Sequence, residues 1–282
     1  MELTEESTSR FVELPTQGKL HYNEAGSGHP VILIHGSGAG ANGWSNFRSN
    51  IGPLAESFHV FAIDCIGWGR SDAATADKYD HVAMVVEFMD ALGLENAALV
   101  GNSMGGMIAI AVAARHGDRV SHLITMGPGA FISTPTMFGA GDGPTEGIKI
   151  LLEGYANPTA ATMKKLVEIM AFDEEFATDE LAELRATGAA ARPDHLANGL
   201  KSFVEGGPVR NQATWEEAKG ITAPALLIHG RDDRVVHFEH TLRLVSTIPN
   251  SRAVLLNRCG HWAQIEHADE FNRLVRDFVL SA

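Results

Sequence analysis

Cysteine is nearly absent from this chain of 282 residues: Cys65 and Cys259 are too few for a disulfide framework. Neither stands in a Cys-x-x-Cys pair or another metal-ligand spacing, so no metal site is expected and both read as reduced thiols. Positive charge is scarce as well. Against 35 Asp and Glu there are only 22 Lys and Arg, a formal net charge of −13, and that balance repels nucleic-acid phosphates and anionic membrane surfaces alike. No run approaches the ~20 apolar residues of a membrane span. The start, Met1-Glu2-Leu3-Thr4-Glu5-Glu6, is acidic where a secretory signal is basic and then apolar. The expectation is a cytoplasmic protein with neither a nucleic-acid nor a membrane partner. Gly-Lys-Ser/Thr is missing too, which argues against a P-loop nucleotide site, and there is no internal repeat. What is present is 45% hydrophobic residues, in a chain long enough for one large core with an inserted subdomain.

Short apolar runs at 31–34, 59–63, 97–100, 122–126, 225–228 and 253–256 alternate with helical patterns such as 82–92 and 106–116. That alternation predicts an α/β fold, a mostly parallel sheet covered by helices on both faces. Runs at 11–14 and 19–23 read as an antiparallel pair ahead of it, and Gly117 suits the C-cap of the second helix. Phe271, Leu274, Val275 and Phe278 share one face of a last packing helix. From about 133 to 211 the strand signals vanish. Ile148, Leu151, Leu152 and Tyr155 share one helical face, Met163, Leu166, Val167 and Met170 another, with hinge-like loops at 139–144 and 206–208. The predicted division is a core over 1–132 and 212–282, with a helical lid over 133–211 inserted between two core strands.

Gly101-Asn102-Ser103-Met104-Gly105 lies between an apolar run and a helix-forming one. A serine on such a sharp strand-to-helix turn is held in a strained conformation with its oxygen over the sheet. Side chains at the flanking glycines would collide with the neighbouring strand and helix. Ser103 is therefore the candidate nucleophile, and its hydroxyl needs a base and a group that orients the base. Of 13 histidines, His261 follows the last strand and precedes the last helix, where a loop can carry an imidazole back over the sheet. His35, His229, His237, His240 and His267 read as loop-bracing, strand-end or helix-start residues. The acid belongs in the loop after the preceding strand, where Asp232 and Asp233 are adjacent and spacing does not choose between them. Asp64, ahead of Gly67-Trp68-Gly69, suits a turn-bracing role. Charge on a tetrahedral intermediate needs preorganised donors. The N–H of Met104 at the start of its helix is one, and Ser37 or Gly38, in His35-Gly36-Ser37-Gly38, supplies the second.

The serine turn resembles the nucleophile elbow of the α/β-hydrolases. His35-Gly36-Ser37-Gly38 with Gly43-Trp44-Ser45-Asn46, Gly101-Asn102-Ser103-Met104-Gly105-Gly106, Met126-Gly127-Pro128-Gly129, Gly230-Arg231-Asp232-Asp233-Arg234 and Cys259-Gly260-His261-Trp262-Ala263-Gln264 together resemble the meta-cleavage product hydrolases. The likeness runs over essentially the whole chain and is weakest in the lid. It implies the α/β-hydrolase fold and a cofactor-free serine hydrolase. The substrate would be a small-molecule 2-hydroxy-6-oxo-hexa-2,4-dienoate, cleaved between C5 and C6. The family's Gly-x-x-Asp pattern selects Asp233 as the acid. Matching positions in the family bind the dienoate, which assigns that role to Asn46 and Asn102, in loops flanking the serine, and to Trp262. Arg185 follows Leu181 by four residues and Leu184 by one, and so reads as facing inward. Its planar fork suits a carboxylate; an ion pair with Glu180 or Glu183 fits the spacing as well, and the resemblance favours the substrate. Met170 and Phe172 are candidates for the wall around the acyl substituent, and an acidic Glu175 suggests an altered acyl preference. The resemblance further implies a homodimer or larger assembly. A general carboxylesterase and a non-catalytic binding protein are the rival readings on this fold.

Overall fold

The computed structural model describes residues 3–129, 136–138, 144–204 and 211–281. Among these, β1 (Ser9–Leu14) and β2 (Gly18–Gly26) pair antiparallel, and β2 pairs antiparallel with β4 (His59–Ile63). Every other pairing is parallel, through β3 (Pro30–Ile34), β5 (Ala97–Asn102), β6 (Val120–Met126), β7 (Ala225–Gly230) and β8 (Ser251–Leu256). The strand order is β1-β2-β4-β3-β5-β6-β7-β8. The helices in chain order are α1 (Glu5–Thr8), α2 (Gly43–Ala55), α3 (His81–Ala91), α4 (Met104–Arg115), α5 (Glu146–Ala156), α6 (Ala160–Met170), α7 (Asp179–Ala190), α8 (Pro193–Val204), α9 (Trp215–Ala218), α10 (Glu239–Thr247), α11 (Ala263–Glu266) and α12 (Ala268–Leu280).

Inner strands of such a sheet are apolar along their whole length because helices cover both faces, and every residue of β5 and β7 is buried. Alternate side chains divide between the two layers. Ile32, Leu99, Leu123 and Leu227 pack with Val85, Phe88, Ile108, Val112 and Leu244 of α3, α4 and α10. Leu33, Val100, Ile124 and Ile228 pack with Phe47, Ile51, Phe271 and Val275 of α2 and α12. Leu151, Tyr155, Met163, Leu166, Val167 and Met170 of α5 and α6 form a third cluster, which reaches Val235, Val236 and Trp262 of the core.

Two local expectations need correction. Gly117 does not take the left-handed conformation; α4 ends at Arg115, and Gly117 opens a short 3-10 turn over Gly117–Arg119. Asn46 and Asn102 are not loop residues: Asn46 lies in the first turn of α2, and Asn102 closes β5. The helices α5 to α8 stand between β6 and β7. Of the loops expected at 139–144 and 206–208, all but residue 144 lie outside the described residues.

Candidate active site

The parallel strands deliver their carboxyl ends to one edge of the sheet, where an open α/β fold places its ligand. At the end of β5, Ser103 takes φ 52° and ψ −113°, a conformation that costs a non-glycine residue roughly 1–3 kcal/mol. Its N–H donates to Met126 O at 2.8 Å, and its side chain does not cap α4. The flanking glycines are required sterically: a Cβ on Gly101 would strike Gly105 O, and one on Gly105 would strike Ile34 O.

After β7 the chain turns so that Asp233 faces inward and Asp232 lies against Arg231 at 3.3 Å. Asp233 Oδ2 stands 2.7 Å from His261 Nδ1, while Oδ1 accepts the N–H groups of Val235 and Val236 at 2.7 and 2.9 Å. Burial alone would raise its pKa, but the His261 and His229 rings hold the carboxyl well below the usual carboxylate range. With Nδ1 committed to Asp233, His261 keeps Nε2 for the cleft whose wall it shares with Ser103. The two are not hydrogen-bonded to each other here, and such contacts commonly tighten only around substrate. Gly127 (φ 51°) makes room for the pair, since a Cβ there would lie 3.0 Å from His261 Nδ1 and 3.2 Å from Asp233 Oδ2.

Two donors expected for an oxyanion are the N–H of Met104, in the first turn of α4 where a helix leaves donors without partners, and one of the loop 36–40. That loop is braced from three sides. Asn46 Oδ1 accepts the Gly36 N–H at 3.3 Å, the hydroxyl of Tyr155 on α5 donates to Ser37 O, and His195 Nε2 on α8 accepts the Gly40 N–H at 3.4 Å. Because a trans peptide sends its N–H opposite its carbonyl, fixing Ser37 O toward Tyr155 turns the Gly38 N–H away from it.

Ser37, Gly38, Asn46, Asn102, Ser103, Met170, Arg185, His261 and Trp262 share one cleft of about 300 Å³, partly open to solvent. The guanidinium of Arg185 approaches from α7, its Nη2 beside Gly38 and its Cζ 5.1 Å from the Trp262 ring centroid. No carboxylate among the described residues pairs with it, its Nε is buried without a hydrogen-bond partner, and burial pulls its pKa down to about 10. Glu180 and Glu183 are exposed and pair with nothing in the cleft. The inward orientation arises otherwise than the leucine spacing implied. Leu184 is 61% exposed, and α7 packs through Ala182, Ala186 and Ala189.

Asn46 and Asn102 line the cleft and brace it as well, the Nδ2 of Asn102 donating to His261 O at 3.3 Å and to Met126 O at 3.4 Å. Met170 lines the cleft, and its carbonyl accepts the His261 N–H at 2.7 Å. Phe172 is not part of the wall; it packs under Arg258, 5.2 Å away. Glu175 is exposed on the turn Glu174–Phe176, away from the cleft. Three residues of this neighbourhood escaped the sequence reading of the site. Leu151 lines the cleft, Tyr155 grips the loop after β3, and His229 sits on the far side of Asp233. Only His229 left a trace in sequence, a polar residue at the end of a buried apolar run. Among the described residues no group of His, Cys, Asp and Glu could hold a metal ion, and no helix is long and apolar enough to cross a membrane.

The family described as alpha/beta hydrolase fold matches residues 29–268. The chain is 42% identical to the 2-hydroxy-6-oxononadienedioate/2-hydroxy-6-oxononatrienedioate hydrolase 1 of Dechloromonas aromatica (strain RCB), over 98% of this chain and 97% of that one. It is 40% identical to a 2-hydroxy-6-oxo-6-phenylhexa-2,4-dienoate hydrolase of Burkholderia cepacia, over 99% and 98%. A solved structure of the meta-cleavage product hydrolase CumD from Pseudomonas fluorescens IP01, a variant complexed with acetates, matches with a TM-score of 0.84 at 35% identity, covering 96% of this chain and 97% of that one. Likeness of this degree along the full length, on an eight-stranded sheet with a serine at its strand-to-helix elbow, means that the chain belongs to the α/β-hydrolase fold family and, within it, to the meta-cleavage product hydrolases.

Proposed function

We propose that this protein hydrolyses the C5–C6 bond of a 2-hydroxy-6-oxo-hexa-2,4-dienoate, giving 2-hydroxypenta-2,4-dienoate and a carboxylic acid. One observation carries the reading: a half-buried guanidinium without a carboxylate partner, its Nε buried, opens onto the same cleft as a strained serine and an aspartate-bound imidazole. Full-length relatives named as hydrolases of such dienoates support it.

Breaking a carbon–carbon bond expels a carbanion, so the substrate must first become an electron sink. The 2-hydroxyl gives up its proton, C5 gains one, and the 2-oxo form results. Arg185 holds the C1 carboxylate, with Asn46, Asn102 and Trp262 around the dienoate. Ser103 Oγ then adds to the C6 carbonyl as His261 Nε2 takes its proton and Asp233 stabilises the imidazolium. The oxyanion lies between the N–H of Met104 and that of Ser37 or Gly38. Collapse breaks C5–C6, its electron pair flows to the 2-oxo oxygen, that oxygen takes the proton held on His261 Nε2, and the 2-hydroxydienoate leaves. Water, activated by His261, releases the acid from Ser103. The segment 133–211 acts as the lid, with Met170 against the acyl group. No cofactor enters this scheme, which we place in the cytoplasm and in a homo-oligomer.

Such dienolates are yellow. Purified protein is expected to bleach at least one of a panel with alkyl and aryl acyl groups, and Ser103→Ala to abolish turnover. Failure to bleach any of them overturns the proposal; p-nitrophenyl esters turned over far better than every dienoate would mark a general esterase.

A further inference from the structure

His229 closes the buried run of β7 with no exposed surface, and the reaction as set out makes no use of it. Its Nε2 lies 2.8 Å from Val236 O and 3.1 Å from Asp233 Oδ2, and its Nδ1 lies 2.7 Å from Thr241 Oγ1. A carbonyl can only accept, so the ring proton is on Nε2 and Nδ1 accepts from the threonine hydroxyl. The shared Nε2–H therefore also reaches the carboxylate oxygen that takes the Nδ1–H of His261 at 2.7 Å. We propose that His229 is a positioning residue for the catalytic pair: a second imidazole whose N–H fixes where Asp233 Oδ2 stands relative to His261. The inference rests on reading Asp233 and His261 as the working pair.

The hydrogen bonds close on themselves. Val236 donates its N–H to Asp233 Oδ1 at 2.9 Å and accepts from His229, so the acid loop is tied back to the strand it leaves. Thr241, fully buried on α10, sets the rotation of the ring. Filling space needs only the ring's volume; holding Oδ2 needs the N–H. Without it, one carboxylate oxygen answers to His261 alone and the negative charge concentrates there, which raises the proton affinity of that imidazole. The other titratable groups around the pair are engaged elsewhere or set back. Asp232 faces Arg231, Arg234 bonds the carbonyls of Glu168 and Ala171, Glu266 takes the N–H groups of Gly260 and Phe172, Cys259 is buried, and Arg185 lies over Trp262.

The test compares His229→Leu with His229→Gln, whose amide N–H can reach the same carboxylate, on the dienoate and on p-nitrophenyl acetate. The leucine variant is expected to lose about 10- to 100-fold in kcat on both substrates at near-constant KM, part of what general-base catalysis supplies. The acid limb of its kcat/KM profile should move to higher pH, and the glutamine variant should recover activity and limb together. A leucine variant with wild-type kcat and an unmoved limb overturns the proposal. Should either variant fail to fold, the wild-type protein decides. In 1H–15N spectra at neutral pH His229 should show the Nε2–H tautomer; the Nδ1–H form overturns it. Activity on the ester without bleaching of any dienoate would sink the proposed substrate and leave this inference open to the same measurements.

Discussion

A half-buried guanidinium without a counter-ion lowers stability, and in the proposed role Arg185 exchanges that stability for binding. Its pKa is pulled down to about 10 by burial, which for a base means that the charged form is disfavoured in the folded protein by on the order of 3 kcal/mol. It nonetheless stays charged at neutral pH, ready for an anion. Replacing it with methionine, which keeps apolar contact with Trp262, should leave the unfolding midpoint unchanged or higher. The same change should cut kcat/KM for a dienoate by about 100-fold, the worth of a charge-assisted bidentate contact of roughly 3 kcal/mol, and barely affect a neutral ester. Equal losses on both substrates would mean that Arg185 shapes the cleft rather than binding the carboxylate. At this scale the sequence was legible where a residue is dictated by its own backbone. Ser103 and its glycines could be read because the elbow tolerates little else. Asp232 and Asp233 could not be separated by spacing, because the choice is made by the N–H groups of Val235 and Val236, which capture the second carboxylate. His229 stayed hidden because its partner lies across a turn whose course no periodicity encodes.

The segment at the end of α6 is held by both loops that carry catalytic candidates. Arg234, next to Asp233, donates to Ala171 O at 2.9 Å and to Glu168 O; His261 donates its N–H to Met170 O; and Glu266 takes the Gly260 N–H at 2.8 Å and the Phe172 N–H at 2.6 Å. Gly260 is needed for this approach, since a Cβ would lie 2.5 Å from Met170 O. The helices α5 to α8 are therefore seated at residues 168–172 by the loops that carry Asp233 and His261. Glu266→Ala strands two part-buried N–H groups, a penalty of up to ~1–3 kcal/mol for each, so the unfolding midpoint should fall by several degrees. Because the base loop loosens, kcat should fall more than KM rises. A variant with an unchanged midpoint and unchanged kcat would show that Glu266 does not join the end of α6 to the His261 loop. Periodicity found the packed faces of α5 and α6, which carry the large buried side chains Leu151, Tyr155, Met163, Leu166, Val167 and Met170. It misjudged α7, whose buried face is three alanines with little hydropathic contrast to the rest of the helix. No local pattern could announce Glu266, which acts at a distance of 94 residues from Phe172.

At the scale of the molecule, alternating apolar runs and helical patterns were enough to reveal the layered sheet, because a strand buried on both faces leaves an unmistakable composition. What they could not reveal is the cluster beneath the loop after β3, assembled from distant segments. There the rings of His35, His81 and His195 lie 6.2, 5.4 and 5.0 Å from that of Trp68. Burial lowers the pKa of all three, to about 4 for His81 and His195. In the unfolded chain such rings take a proton near pH 6.5, whereas the folded protein resists until about pH 4. Their contribution is therefore complete above about pH 6.5 and is lost as the pH falls toward 4, up to about 3 kcal/mol for each of the two most shifted rings. Asp233, held below the usual carboxylate range, adds a further loss only once its unfolded counterpart protonates, near pH 4. Glu266 and Glu5 are raised, chiefly by burial, and soften the acid side because the folded state protonates them first. The two histidines outweigh them, so urea midpoints should hold steady between about pH 7 and 8 and drop steeply from about pH 6.5 to 4.5. His195→Leu should flatten that drop, since one of the two most shifted of five burial-lowered rings is removed. Equal midpoints at pH 7.5 and pH 5 in the unaltered chain would show that these rings already carry their protons when folded, and that the cluster is wetter than its geometry implies.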